Sequence, residues 1–231
     1  MLVVPPIGLT KKKGPVALPA IALVDAQFNQ ITGGSNDLTV SGLTGVLAGD
    51  IIVCAIGHSG SVFGSPTAAG FTTLGAQNWS SNAAGSFYKV AAGGETSVTM
   101  TANAQASDPK FGVAMVFRNA ASATHHTHNF EQGSVTTRQL GSHTESDATS
   151  MSILFGWLNR TGTSDATISG EPTDYTLAAR ADGAVLGGTT QDRILSAWYR
   201  LYDSRGAQSP SFSISPADFH DSWYSNSRLN A

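Results

Sequence analysis

The chain has 231 residues, a formal net charge of −3 and a charged fraction of 13%, about half the roughly 25% usual for soluble domains. Ala, Gly, Ser and Thr fill that deficit, while the apolar fraction stays at 41%. The balance argues against a polycationic nucleic-acid binder, and no run approaches the ~18 apolar residues of a membrane-spanning helix. The length suits one large β-domain or two small domains.

Residues 1–24 differ from all that follows. They hold Pro5, Pro6, Pro15 and Pro19 and the run Lys11-Lys12-Lys13, with no acid before Asp25. Paired prolines and a lysine run resist helices and central strands, so an extended segment is expected. Its apolar ends favour a docking arm on a neighbouring molecule, with Val3, Val4, Pro5, Pro6, Lys11, Lys12 and Lys13 as contacts. Two other readings stay open. One is a frayed tail. The other is an export signal ending near Val24-Asp25-Ala26, against which Pro19 interrupts the apolar stretch.

Past the arm, period-2 alternation rich in β-branched and aromatic residues predicts strands. The first set is Ala20–Asp25, Asp37–Ser41, Asp50–Gly57, Phe71–Trp79, Ser86–Ala91, Thr96–Thr101 and Phe111–Arg118. A long polar loop is expected over 119–149. The second set is Ser150–Asn159, Tyr175–Arg180, Ile194–Tyr202, Pro210–Ile214 and Ser222–Ser227. Turn-formers such as Gly33-Gly34, Gly49-Asp50, Gly93-Gly94 and Asp182-Gly183 separate them. No window has sustained 3.6-residue periodicity. The expected fold is all-β: a two-sheet β-sandwich, jelly-roll-like, with residues 25–231 as one domain.

The two sets repeat one another. Ile51–Ile56, Phe71, Phe87-Tyr88-Lys89-Val90 and Ser97–Met100 match Ile153–Leu158, Tyr175, Trp198-Tyr199-Arg200-Leu201 and Ser211–Ile214 in order. Halves of about 37–118 and 150–227 are expected, each too small to bury both faces of a sheet alone. Alternation gives core candidates Ile52, Cys54 and Ile56; Val113, Met115 and Phe117; Ile153, Phe155 and Trp157; and Leu195, Ala197, Tyr199 and Leu201. Lys89, Arg118, Arg160 and Arg200 are expected near strand ends or on alternate positions, where only an inverted register would bury them. Cys54 is the single cysteine, so an intrachain disulfide is impossible, and it reads as a small buried hydrophobe.

Leu47-Ala48-Gly49-Asp50-Ile51-Ile52-Val53, Ala69-Gly70-Phe71-Thr72-Thr73-Leu74, Phe87-Tyr88-Lys89-Val90-Ala91, Gly94-Glu95 before Ser97–Met100, and Ala114–Arg118 follow in a telling order. This order resembles a bacteriophage virion β-sandwich family found in head-decoration, tail and fibre proteins. The match covers about Gly42–Arg118 well and the second half loosely. The resemblance implies a structural part of a virion, with neighbouring virion proteins (a major capsid or tail protein) as partners.

Candidate chemistry is sparse. Gly57-His58-Ser59-Gly60 approaches the nucleophile elbow G-x-S-x-G, but its fifth position is Ser61 and no helix pattern follows. His125, His126 and His128, with His143 downstream, have no zinc-module spacing and read as an exposed loop or subunit contact. Asp165, Glu171 and Asp174 lack the alternation of a calcium loop. Trp79, Trp223 and Tyr224 are possible glycan contacts, because aromatic faces stack on sugars; Trp157 and Trp198 read as core. No catalytic pair, metal or cofactor is expected, and neither nucleic acid nor membrane as a partner. These readings converge on a non-enzymatic virion subunit, a capsid decoration (cement) or other head- or tail-associated protein, homo-oligomeric and anchored by its arm. The alternative is a carbohydrate- or receptor-binding module of a fibre.

Overall fold

The computed structural model of the chain describes residues 19–145, 149–160, 167–183, 193–202, 206–215 and 219–231. All regular structure in them is β-strand, and every strand pairing is antiparallel. The chain is an all-β sandwich.

Two five-stranded sheets form its body. In the first, the spatial order is β1 (Ala22–Ile31), β7 (Lys110–Arg118), β3 (Ile51–Ser59), β5 (Asn82–Val90), β4 (Thr72–Trp79). In the second it is β8 (Ser122–Ser134), β17 (Phe219–Asn230), β11 (Met151–Arg160), β14 (Arg193–Leu201), β13 (Thr176–Gly183). Taken position for position, each strand of the second sheet holds the same place in its half as its counterpart in the first. The outer layers follow the same plan. A ribbon of β2 (Asp37–Ser41) and β6 (Ser97–Thr101) serves the first half. A sheet of β12 (Thr167–Gly170), β16 (Ser211–Ser215) and β9 (Thr137–Gln139) serves the second, together with the short pair β10 (His143–Glu145) and β15 (Gly206–Gln208).

The five-stranded sheets face each other with their order reversed: β1 packs on β13, β7 on β14, β3 on β11, β5 on β17 and β4 on β8. That is the arrangement of a pseudo-two-fold axis lying along the strands, so equivalent strand ends from both halves share one end of the sandwich. The interior between the sheets is mainly apolar and is shared by both halves, with Ser86 and Ser225 hydrogen-bonded across it at 2.8 Å. Ile51, Val53, Phe111 and Phe117 come from one, Ile153, Phe155, Trp157 and Trp223 from the other. Each such large side chain contributes roughly 1.5–3 kcal/mol by leaving water. Trp157 lies over Gly57, where any Cβ would stand 2.6 Å from its ring. That glycine is what lets the indole enter the opposite sheet.

Central strands are covered on both faces and therefore read as unbroken apolar runs rather than alternating ones. Ile51, Val53 and Ala55 turn inward, while Ile52, Cys54 and Ile56 turn outward under β2 and β6, beside Leu38, Val40 and Met100. The expected grouping of Ile52, Cys54 and Ile56 thus holds as a face, but it is the outer face, opposite to that of Val113, Met115 and Phe117. The edge strands are bulged. Pairings shift between Leu23 and Asp25 in β1, Thr73 and Gly75 in β4, and Leu177 and Ala179 in β13; in β8 the extra residue is His126. Bulges twist an edge away from a foreign strand.

Four expectations are corrected. The polar loop expected over 119–149 contains β8, β9 and β10, held as strands by pairing with β17, β16 and β15, and it buries Ala123, Phe130 and Leu140. Ile21 lies in the shared core and Ala22–Val24 open β1, so composition drew the arm's end too late. Leu201 is 43% exposed, past the end of the core. Arg200 lies near the end of β14 as expected, but it is buried because an outer layer covers it. The arm contacts Val3, Val4, Pro5, Pro6, Lys11, Lys12 and Lys13 lie outside the described residues.

Candidate functional site

The motif residues behind the resemblance converge at one end of the first half. Gly49 adopts a left-handed φ of 91°, which opens the turn for Asp50. The Asp50 carboxylate accepts the Leu47 N–H at 2.9 Å and two bonds from the Arg118 guanidinium at 3.1 and 2.9 Å. Burial alone would raise its pKa; the Arg118 and Leu47 bonds outweigh it and lower it. Glu95 caps the next turn, accepting the Ala92 and Gly93 N–H groups at 2.8 and 2.9 Å and pairing with Lys89 at 3.1 Å. Burial again opposes ionisation, and these bonds overcome it, holding Glu95 at about 2. Lys89 sits 5.3 Å above the Phe71 ring.

The same device recurs in the second half with different surroundings. Arg200, which follows Tyr199 as Lys89 follows Tyr88, lies 5.1 Å above the Tyr175 ring. Its carboxylate partner is Glu145, delivered by β10, and this pair is buried. Around it stands a polar network on the outer face of the second sheet. The Tyr175 hydroxyl donates to Ser152 at 3.0 Å, and burial pushes its pKa up to about 12. The Asn226 amide donates to Gly141 O at 3.3 Å and to His143 Nδ1 at 2.9 Å, leaving His143 Nε2 as the N–H, 3.5 Å from Glu145. Burial, then the charges of His126 and Arg200, lower His143 to about 4, so it is neutral at pH 7. Its ring stacks on Tyr202, whose hydroxyl is 3.3 Å from His126. Arg228 lies 5.7 Å above Tyr202 and donates to Ser150 at 2.9 Å.

Beside this network the surface opens into a cavity of about 160 Å³. Thr173, Asp174 and Tyr175 form one wall, Arg200 the floor, and Gln208, Ser209 and Ser211 the facing wall. Asp174 takes a left-handed φ of 66° at the rim.

The other expected site residues do not assemble. Trp79 is 44% exposed at the end of β4. Trp223 is 1% exposed within the core between the sheets, so no sugar can reach it; its position next to Tyr224 suggested a surface that strand alternation denies. Tyr224 is half-buried on the outer face against Gly141. Ser59 is buried and accepts a bond from Arg193. His58 points to the other side of the strand, so the two cannot act as nucleophile and base. Burial, then Lys110, lower His58 to about 4. His125, His126 and His128 lie on β8 rather than on a loop. Nδ1 of His128 is 3.0 Å from Nε2 of His125, and His128 packs where Gly75 of β4 leaves room. Glu171 pairs with Arg180 at 2.7 Å and accepts from the Trp198 indole, while Asp165 falls outside the described residues. Among the described residues no group of three His, Cys, Asp or Glu side chains is placed to hold a metal ion. The network of Glu145, Arg200, Tyr175 and His143 was not foreseen; the one signal available was Arg200 at the position of Lys89.

Comparison with protein-family models, with curated proteins and with solved structures finds no match to this chain.

Proposed function

We propose that the chain is a non-enzymatic structural protein of a bacteriophage particle, a capsid decoration (cement) subunit or another head- or tail-associated part. It works as a homo-oligomer and is anchored to a major capsid or tail protein by its N-terminal segment. One observation carries this reading. The charged groups of the family-like motif, Asp50, Lys89, Glu95 and Arg118, are engaged in turns and ion pairs that hold strand ends. A motif committed to architecture belongs to a building part. The bulged edges support it, since they discourage open-ended strand addition and leave faces, ends and the arm for specific contacts. Low charge reduces repulsion between neighbouring copies.

A second reading, a carbohydrate-binding fibre module, is favoured by Trp79, exposed at the β4–β5 turn. Glycan-array binding that disappears in Trp79→Ala would establish it.

The test of the main reading is deletion of residues 1–18, which spares Ile21 and β1. The truncated chain should keep a β-type circular dichroism spectrum and fail to join particles assembled in its presence. Normal incorporation would overturn the docking role.

A further inference from the structure

The two halves act as each other's control. On the outer face of the first sheet the positions beside β2 and β6 include Ile52, Cys54, Phe87, Ala114 and Val116, all apolar, and the buried polar pair of residues there, His58 and Lys110, lies at the far end of β3 and β7. By the register of β3 with β5 and β7, and of β11 with β14 and β17, the equivalents are Ser152, Leu154, Trp198, Asn226 and Arg228. The fold therefore does not require polar groups here. Three of five positions have nevertheless become polar, and a buried Glu145–Arg200 pair has been added. Burying such groups gives less stability than apolar packing of the same volume. Sites that break a fold's own pattern without a gain in stability are where binding resides. The segment between β14 and β16 is also longer than its counterpart between β5 and β6, and it carries β15 and the facing wall of the cavity.

We infer that the cavity between Thr173–Tyr175 and Gln208–Ser211, floored by Arg200, binds a small neutral polyhydroxylated ligand, one sugar residue. Three features select this class. The lining holds the side chains of Thr173, Asp174, Gln208, Ser209 and Ser211; Ser209 already shares a bond with Ser142 at 2.8 Å and the Gln208 nitrogen donates to Ala207 O at 3.0 Å, and their remaining capacity with that of Thr173, Ser211 and Asp174 mixes donors and acceptors suited to vicinal hydroxyls. The Arg200 charge is matched by Glu145, and Asp174 stands at the rim. Glu145 is buried behind Arg200 and offsets its charge, which leaves one cation and one carboxylate, Asp174, in the lining and no excess of either sign for an ionic ligand. The volume of about 160 Å³ is below the roughly 300–1,000 Å³ of drug-sized pockets, which restricts the occupant to a single ring. The Tyr175 hydroxyl, tied to Ser152, and the cation above its ring hold the floor rigid, so little ordering is left to oppose binding.

Saturation-transfer NMR on the full chain tests this, with glucose, galactose and N-acetylglucosamine as neutral probes and glucuronate, glucosamine and inorganic phosphate as charged ones. At least one neutral sugar should give saturable transfer with a millimolar Kd. The half-buried lining variants Gln208→Ala and Ser211→Ala should each weaken it five-fold or more without moving Tm, while Lys89→Ala in the first half should leave it unchanged. No transfer from any neutral sugar at millimolar concentration overturns the inference. So does preferential binding of phosphate or glucuronate, or binding indifferent to both variants. The inference concerns the chain alone: particles that incorporate a sugar-blind protein would refute it and leave the virion reading standing.

Discussion

The Lys89–Phe71–Glu95 corner and the Arg200–Tyr175–Glu145 corner are one device in two settings. In both, a cation lies over an aromatic ring that opens an edge strand and pairs with a carboxylate. In the first half the carboxylate comes from the adjacent turn and the pair stays near water. In the second it comes from β10, and the pair is covered. The difference teaches that strand order and inner packing are conserved between the halves while the outer layer is the variable part. An inner residue must satisfy both sheets at once, whereas an outer one answers only to its own cover.

The largest expected effect separates the two corners. Glu145→Ala leaves Arg200 charged under its cover, and removal of one partner of a buried pair costs roughly 3–5 kcal/mol. Glu95→Ala breaks a pair near solvent and also removes the acceptor of the Ala92 and Gly93 N–H groups, which water can satisfy, and costs less, about 1–2 kcal/mol. Urea denaturation of both variants measures the gap; equal losses would mean that the corners are energetically alike.

Acid sharpens the comparison next, because each half carries one buried histidine held near 4: His58 in the first and His143 in the second. Lys110 and Asp108 face His58; Glu145, Arg200, His126 and Tyr175 face His143. In both cases the folded pKa lies below the ordinary 6.5, so the unfolded chain binds the proton first. Stability is therefore complete above about pH 6.5 and falls as pH drops toward 4, by up to roughly 3 kcal/mol per histidine. Glu95, held at about 2, adds a further decline between its ordinary 4.5 and 2. Thermal melts of His58→Asn and His143→Asn should each lose part of the 6.5-to-4 slope. A slope unchanged in both would place the acid sensitivity elsewhere.

The smallest effect is expected at the cation over the ring. Lys89→Met keeps the stem over Phe71 and removes the charge, with an expected loss of about 0.5–1 kcal/mol by chemical denaturation.

Much of the fold was legible along the chain. β3, β7, β11 and β14 appear as apolar runs bounded by turn-formers, and the recurrence of Phe71, Tyr88 and Lys89 as Tyr175, Tyr199 and Arg200 marks equivalent strands. β8 was not legible, since its thirteen residues hold three histidines and few apolar side chains. Its strand state comes from pairing with β17, a partner nearly a hundred residues away. The candidate site was less legible still. Trp79 and Trp223 look alike in sequence, and only the place each takes along its strand distinguishes an exposed indole, at the end of edge strand β4, from a core one in the middle of β17.

Local chemistry by itself determined that the chain would be strands and turns, with tight corners at Gly49-Asp50 and Gly93-Gly94, because backbone sterics and period-2 alternation act over a few residues. The tertiary structure alone decided which way each alternating face turned, that Trp157 would enter the opposite sheet at Gly57, and that Glu145 would meet Arg200. Those outcomes depend on segments far apart in the chain being brought into contact, and short-range patterning carries no record of such distances.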